Sequence, residues 1–274
     1  MRISFQPVSD RSQLAGAKTA YLSALLSPLD GMWEAAFIEP APHFHIGIGG
    51  QQAGYCCVGP QNRLLQFYLS RQFAAHEQDV WQTLIQGPNN LPEGPLAGAI
   101  AGTNDPVALA HCLDFQKKVR VHTWLFCDDP DFSGELSPLA ASHLFRVADG
   151  ADLARALLFC QESVNNQSAW LGNYLAGLIE RQELFLLEKG GRILATGECR
   201  VSESQPPFAD LGMIVYPEYR GQGLGTEVLL RLRREAATRA LKPICSTEAG
   251  NIAARTAILR AGFRACHRLL EIGF

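Results

Sequence analysis

The sequence predicts an α/β fold made of two tandem copies of one unit, each a mixed sheet with helices on both faces. Three observations lead there. Helix-like and strand-like apolar periods alternate along the chain. The order of elements read before residue 127 returns after residue 143. Two pairs of segments also match across that distance, FQPVSDRSQLAGA with FRVADGADLARA and AIAGTNDPVALAHCLDF with PICSTEAGNIAARTAILRAGF. Asp105 then corresponds to Asn251 at a separation of 146, and Phe115 to Phe263 at 148. A chain of 274 residues holds two domains of ordinary size. The polar segment 128–142, broken by Pro130, Gly134 and Pro138, reads as the linker. The expected division is 1–127, linker 128–142, and 143–274.

In the first copy, Ile3 to Val8 alternates as a strand does, and Arg11 to Leu26 and Gly31 to Phe37 show the wider apolar spacing of helices. HFHIGI, AGYCCV and RLLQFYL read as a meander, because Gly-Gly-Gln-Gln and Gly-Pro-Gln-Asn between them are turn chemistry. A helix around 73–85, a Pro/Gly/Asn-rich loop over 87–95, a strand AGAIAG, a helix over 106–113 and a strand KVRVHTWLF follow. The second copy repeats the plan: strand LFRVA, a helix from Asp152, a helix over 169–181, strands ELFLLE, RILATGECRV and ADLGMIV, a helix, strand PICST, a helix and a closing strand.

Composition narrows the function. Apolar residues are 47% and charged residues 19%, enough to fill a core. A formal net charge of −3 argues against a nucleic-acid partner, since neutralising a polyanion needs a cationic surface. No apolar run reaches membrane-spanning length, and MRISFQPVSD lacks the apolar core of a secretion signal, so a cytoplasmic protein without membrane partner is expected. The eight cysteines form no CxxC pair, and His43 and His45 share a strand face without a third ligand, so no metal is expected.

The most informative run is LGMIVYPEYRGQGLGTEVLLRLRREA. Leu211 to Val215 form a strand that Pro217 ends, and Leu224, Val228, Leu232 and Ala236 recur every four residues as the buried stripe of a helix. Arg220-Gly221-Gln222-Gly223-Leu224-Gly225 lies at the joint. Glycines there let the backbone turn tightly, so that the unpaired N–H groups of the helix start surround an anion such as a pyrophosphate. By itself the run is also what a plain strand-to-helix turn looks like. It lacks the Gly-Lys-Ser/Thr of a Walker loop and the downstream acid of a dinucleotide fingerprint.

VYPEYRGQGLGTEVL resembles the acyl-CoA-binding signature of the GNAT superfamily of N-acetyltransferases, Arg/Gln-x-x-Gly-x-Gly/Ala after a strand and a Val-x-Pro turn. STEAGNIAARTAILRAGF resembles the second family signature, with Asn251, Gly262 and Phe263 in place. Together with the element order, the resemblance covers about 143–274. It implies two tandem GNAT-like domains, each a mostly antiparallel sheet with helices on both faces, and acetyl-CoA or another acyl-CoA as co-substrate. By the same resemblance, the backbone of Met213, Ile214 and Val215 would pair with the pantetheine arm. Arg220, Gly221, Gln222, Gly223, Leu224, Gly225 and Thr226 would hold the pyrophosphate, and Asn251 would bond the pantetheine. Asn251 also reads as a helix N-cap, and Gly262 as a helix stop. In the first copy SRQFAAHEQD stands at the loop position without its glycines and with Glu77 added, so that copy is read as degenerate.

The implied reaction is transfer of an acetyl or similar acyl group from acyl-CoA to a primary amine of a small molecule or peptide, by direct attack in a ternary complex. An ammonium has no lone pair, so a base must remove its proton. Glu198 and Glu248 are the candidate general bases, with Asp210 behind them, and each is also a residue that a solvated surface carries. The family often places a Tyr seven residues after the Asn to protonate the departing thiolate, and here that position is Ile258. A covalent route through Cys245 or Cys266 is a minor alternative. The alternative function is an acyl-CoA-binding regulatory or partner-binding module without turnover. Either a monomer or a homodimer fits.

Overall fold

The computed structural model describes residues 2–87, 91, 94–165 and 167–274, so part of the 87–95 loop lies outside the described residues. In the first half the elements are β1 (Ile3–Pro7), α1 (Ala15–Ala24), α2 (Gly31–Trp33), β2 (His43–Ile48), β3 (Gln51–Gly59), β4 (Arg63–Leu69), α3 (Glu77–Ile85), β5 (Gly98–Gly102), α4 (Pro106–Asp114) and β6 (Lys118–Asp128). In the second half they are β7 (Leu144–Val147), α5 (Leu153–Val164), α6 (Trp170–Glu180), β8 (Leu184–Lys189), β9 (Arg192–Val201), β10 (Phe208–Val215), α7 (Leu224–Thr238), β11 (Lys242–Glu248), α8 (Ile252–Arg260) and β12 (Phe263–Gly273). The expected helix over 11–26 opens as a 3-10 turn, Arg11–Leu14, because the Asp10 carboxylate accepts from the Ser12 N–H and fixes a tight start. The helix expected from Gly31 likewise passes after α2 into a π turn, Glu34–Ile38.

Two compact units result: Met1–Thr123 with His267–Phe274, and Trp124–Cys266. Each closes on a strand segment from the other half of the sequence. In the first unit β1 to β4 are antiparallel neighbours, and β4 meets β5 in parallel at Arg63↔Gly98 and Leu64↔Ala99. The far edge of β5 carries the last part of β12, antiparallel from Leu269↔Gly102 to Gly273↔Gly98. Gly98 is required at that seam, because a Cβ on it would lie 2.1 Å from the Ile272 carbonyl oxygen. Phe5, Phe44, Ile46, Phe67, Trp81 and Leu84 fill the core together with Ile272, and Glu271 is paired with Arg63 and Arg120.

In the second unit β7, β8, β9 and β10 form an antiparallel ladder, β11 joins β10 in parallel, and β6 lies on the other side of β11. Residues alternate between two faces as the pleat requires. Ala195, Cys199, Ala209 and Leu211 pack with Val228, Leu229 and Leu232 of α7. Leu184 and Leu186 pack with Phe159, Leu171, Leu175 and Leu178 on the opposite face, against α5 and α6. Phe126 from β6 is buried in the α7 core.

The duplication is visible in the helix caps. Asp105 accepts from the Ala108 N–H at the start of α4, as Asn251 accepts from the Ala254 N–H at the start of α8. Phe115 is the C-cap of α4 where Ala261 is the C-cap of α8, so Phe115 and Phe263 are two residues out of step.

Candidate functional site

The local order of β10, loop and α7 follows from three sequence devices. Tyr216 and Pro217 end the ladder, Gly221 and Gly223 take left-handed backbone at φ 77° and 85°, and the Leu224–Val228–Leu232 stripe seats α7 on the sheet. Gly223 is the N-cap and brings no side-chain bond to the helix start. The first N–H groups of α7 therefore remain available to a ligand, with the positive end of the helix dipole behind them. No atom lies within 4 Å of a Cβ built on Gly221 or Gly223, so the loop is open on the side where an anion would approach.

Beside the loop the sheet opens. β10 and β11 pair only at Phe208↔Lys242, Ala209↔Pro243 and Asp210↔Ile244, although β10 continues to Val215 and β11 to Glu248. The main chain of Met213, Ile214 and Val215 keeps its ladder with β9 and has an unpaired edge toward β11. A cleft of about 470 Å³ occupies this opening. Its walls are Met213 to Val215, the loop and first turn of α7, and Asn251, Ala254 and Ala257 of α8. An extended chain with amide groups fits such an edge, and a pyrophosphate fits the loop at its end, so these residues suit a CoA-type ligand.

The expected loop residues do different things. Arg220 spends its guanidinium on main-chain carbonyls, Nη2 to Ser163 at 2.6 Å and Nε to Val215 at 3.2 Å, and so ties the end of α5 to the end of β10. Gln222 is exposed and donates to the Glu218 carbonyl at 3.2 Å. Gly225 is a packing glycine: a Cβ there would sit 3.4 Å from both the Ala257 Cβ and the Met213 Sδ. Leu224 is buried in the core, and the Thr226 hydroxyl lies 3.5 Å from the Ala257 carbonyl. Asn251 caps α8 at 3.0 Å and lines the cleft as well.

The two candidate bases are separated. Glu248 is exposed at the end of β11, and its carbonyl accepts the Asn251 N–H. Glu198, in the middle of β9, is directly opposite Gly212 and has a side chain 12% exposed. Tyr174 of α6 donates to Glu198 Oε2 at 2.6 Å, and Arg200 Nη1 lies 3.4 Å from the same oxygen. Asp210 is buried where β10 and β11 still pair. Tyr174 and Arg200 belong to no motif: their relation to Glu198 appears only when α6 is folded onto the sheet. Of the two cysteines beside the signature helix, Cys245 is buried, and burial pushes the Cys266 thiol up to about 11, which leaves it a weak nucleophile. His43 and His45 are hydrogen-bonded, to the Ala41 carbonyl and to Gln13 and Gln52, and among the described residues no group of three potential ligands could hold a metal.

Among the described residues the first unit has no such glycine loop before α3. Arg71–His76 forms a 3-10 turn leading into α3, and the Phe67 and Trp81 rings meet at a tilt of 41° in the core, centroids 4.6 Å apart.

Comparison with known proteins follows the same division. The acetyltransferase (GNAT) domain model matches residues 10–129, and the acetyltransferase (GNAT) family model matches 151–263. Among solved structures, an acetyltransferase from the GNAT family of Colwellia psychrerythraea is 34% identical with a TM-score of 0.92, covering 99% of each chain. A GCN5-related N-acetyltransferase from Sphaerobacter thermophilus is 15% identical with a TM-score of 0.64, over 98% of this chain and 94% of that one. A tandem GNAT protein from the clavulanic acid biosynthesis pathway, 13% identical with a TM-score of 0.58 over 98% of each chain, shares the fold. No curated protein sequence matches the chain.

Proposed function

Because the chain belongs to the GNAT acetyltransferases, as two family domains in tandem, we propose that its second unit transfers an acetyl or similar acyl group from acyl-CoA to a primary amine of a small molecule or peptide. The observation that carries this reading is the parting of β10 from β11 beside a glycine-opened helix start, a groove with unpaired main chain and an anion-binding end. Acyl-CoA would supply the activated acyl group there as a thioester. The open edge of Met213–Val215 aligns the ligand and donates to the acyl oxygen, and the start of α7 neutralises the phosphates.

Of the two candidate bases we take Glu198, since its largely buried carboxylate rests against the bare backbone of Gly212, one residue before Met213 of the cleft wall, while Glu248 faces solvent. Glu198 takes the ammonium proton, which frees the lone pair for direct attack in a ternary complex. With Ile258 3% exposed in the core, that position offers no hydroxyl, and water protonates the departing thiolate.

The buried Ile258 also favours a second reading, an acyl-CoA-binding module without turnover. One experiment separates the two. Acetyl-CoA is incubated with the full chain and a library of small amines and peptide N-termini, and release of free CoA thiol is followed. Amine-dependent release is expected. Calorimetric binding of CoA without release for any acceptor would support the module, and absence of binding would remove both readings.

A further inference from the structure

We propose that Tyr174 is a positioning residue for Glu198: its hydroxyl pins Oε2 and so presents Oε1 to the acceptor amine. The inference rests on the reading of Glu198 as the base, and deepens it by giving the carboxylate an orientation.

The geometry is a closed triangle. Tyr174 Oη donates to Glu198 Oε2 at 2.6 Å and accepts from Arg200 Nη1 at 3.0 Å, while the same Nη1 stands 3.4 Å from Oε2. The guanidinium contact exceeds the 2.7–2.9 Å typical of a charge-assisted bond, and the hydroxyl contact is short. Arg200 therefore supplies charge and Tyr174 supplies direction. Among the described residues both contacts to the carboxylate fall on Oε2, which leaves Oε1 as the oxygen able to take a proton.

The hydroxyl is a dependable donor. Burial first, and the neighbouring Glu198 charge second, push its pKa well above the ordinary tyrosine value, so it keeps its proton throughout the range in which amines are acylated. The ring cannot drift. It sits on α6 one turn after Trp170, whose ring meets it edge-on at 5.4 Å, and it packs beside Leu171, Leu175 and Leu178. Gly212, opposite the carboxylate, brings no side chain: a Cβ there would lie 3.5 Å from Oε2. The pinned carboxylate thus rests against bare β10 backbone, one residue before Met213 at the cleft wall.

The other groups around Glu198 do not compete for this role. α5 faces it with Cys160, whose thiol burial pushes up to about 12 and keeps neutral. β8 faces it with Leu184, β9 contributes Arg200, and Asp210 on β10 lies across from Arg200.

The test uses the full chain with Tyr174→Phe, which keeps the ring and its packing. With acetyl-CoA and an amine found by thiol release, kcat is expected to fall about tenfold, the effect of one lost hydrogen bond to a charged group. KM for acetyl-CoA should stay within about twofold, since the cleft walls are untouched. An independent readout needs no acceptor: the ¹³C-carboxyl resonance of Glu198, assigned by its loss in Glu198→Gln, should change its chemical shift in Tyr174→Phe, since no hydroxyl then donates to Oε2. An unmoved resonance with unchanged kcat would overturn the proposal. If Glu198→Gln keeps wild-type kcat, the reading of Glu198 as base fails, and the resonance still reports whether Tyr174 holds the carboxylate.

Discussion

Gly223 sits in left-handed backbone at φ 85° with open space beyond its Cα, so a side chain there meets no neighbour and instead enters the approach to the helix start. Gly223→Val should therefore weaken CoA binding at least about tenfold in calorimetry, by covering the N–H groups and by backbone strain of roughly 1–2 kcal/mol. Gly49→Val is the control, since Gly49 is also left-handed, at φ 59°, and equally open, in the β2–β3 hairpin of the first unit. It should lower stability by a similar amount and leave CoA affinity unchanged. Equal loss of affinity in both variants would remove the loop from the site. Glycines at the joint of a strand and an amphipathic helix were legible in the sequence, because their spacing is itself the physical device. The fate of the Arg220 guanidinium was not. Its acceptor is a main-chain carbonyl of Ser163, and carbonyls leave no trace in sequence. Tyr174 was illegible for a related reason: nothing in a helix pattern says which strand residue its hydroxyl meets.

At the level of elements, the entry to α5 shows why the helices begin where they do. Asp149 and Asp152 form a capping box, and Asp152 also receives Arg146 of β7 through Nη1 at 2.6 Å and Nη2 at 2.8 Å. Arg155 and Glu188 extend the network to β8. The Arg146 hydrogen bonds hold the Asp152 carboxyl down at about 2, below its unfolded value of about 3.9. A depressed carboxylate contributes stability that is fully present above the unfolded value and is lost as pH falls through the folded one. Denaturant midpoints of the chain should therefore fall between about pH 4 and pH 2, and Asp152→Asn should flatten that part of the curve while costing about 2 kcal/mol at neutral pH. A variant with the wild-type acid slope would assign the slope to other carboxylates. Element order was legible from apolar period, and RILATGECRV spans β9 residue for residue. The 3-10 turn at Arg11–Leu14 was missed because it arises from a single cap, Asp10, and the π turn at Glu34–Ile38, which has no side-chain cap, because apolar spacing does not tell a π turn from an α turn.

For the molecule as a whole, duplication was legible and the closing of each unit was not. KVRVHTWLF and the last strand were both read as strands, but sequence does not tell a strand which edge to take. The first unit needs Leu269 and Ile272, both buried, and the second needs Phe126, also buried. Residues 1–127 and 143–274 expressed as separate chains are each expected to lack a cooperative thermal transition, and a chain ending at Cys266 should lose the transition of the first unit. Sharp independent melting of the two fragments would contradict the assignment of His267–Phe274 to the first unit.

That assignment bears on how the protein is made. A ribosome adds roughly 5–20 residues per second, so the edge of β5 waits on the order of ten seconds or more, after residue 123 is made, for the segment that pairs with it. The second unit contains nothing beyond Cys266 and can close before the first, reversing the usual N-to-C order of domain maturation. During that interval Gly98–Gly102, buried throughout in the finished fold, is an unpaired apolar edge in the nascent chain. Chaperone dependence and misassembly should concentrate in that window, and slowing translation over the second half should lower the yield of active protein more than slowing it over the first.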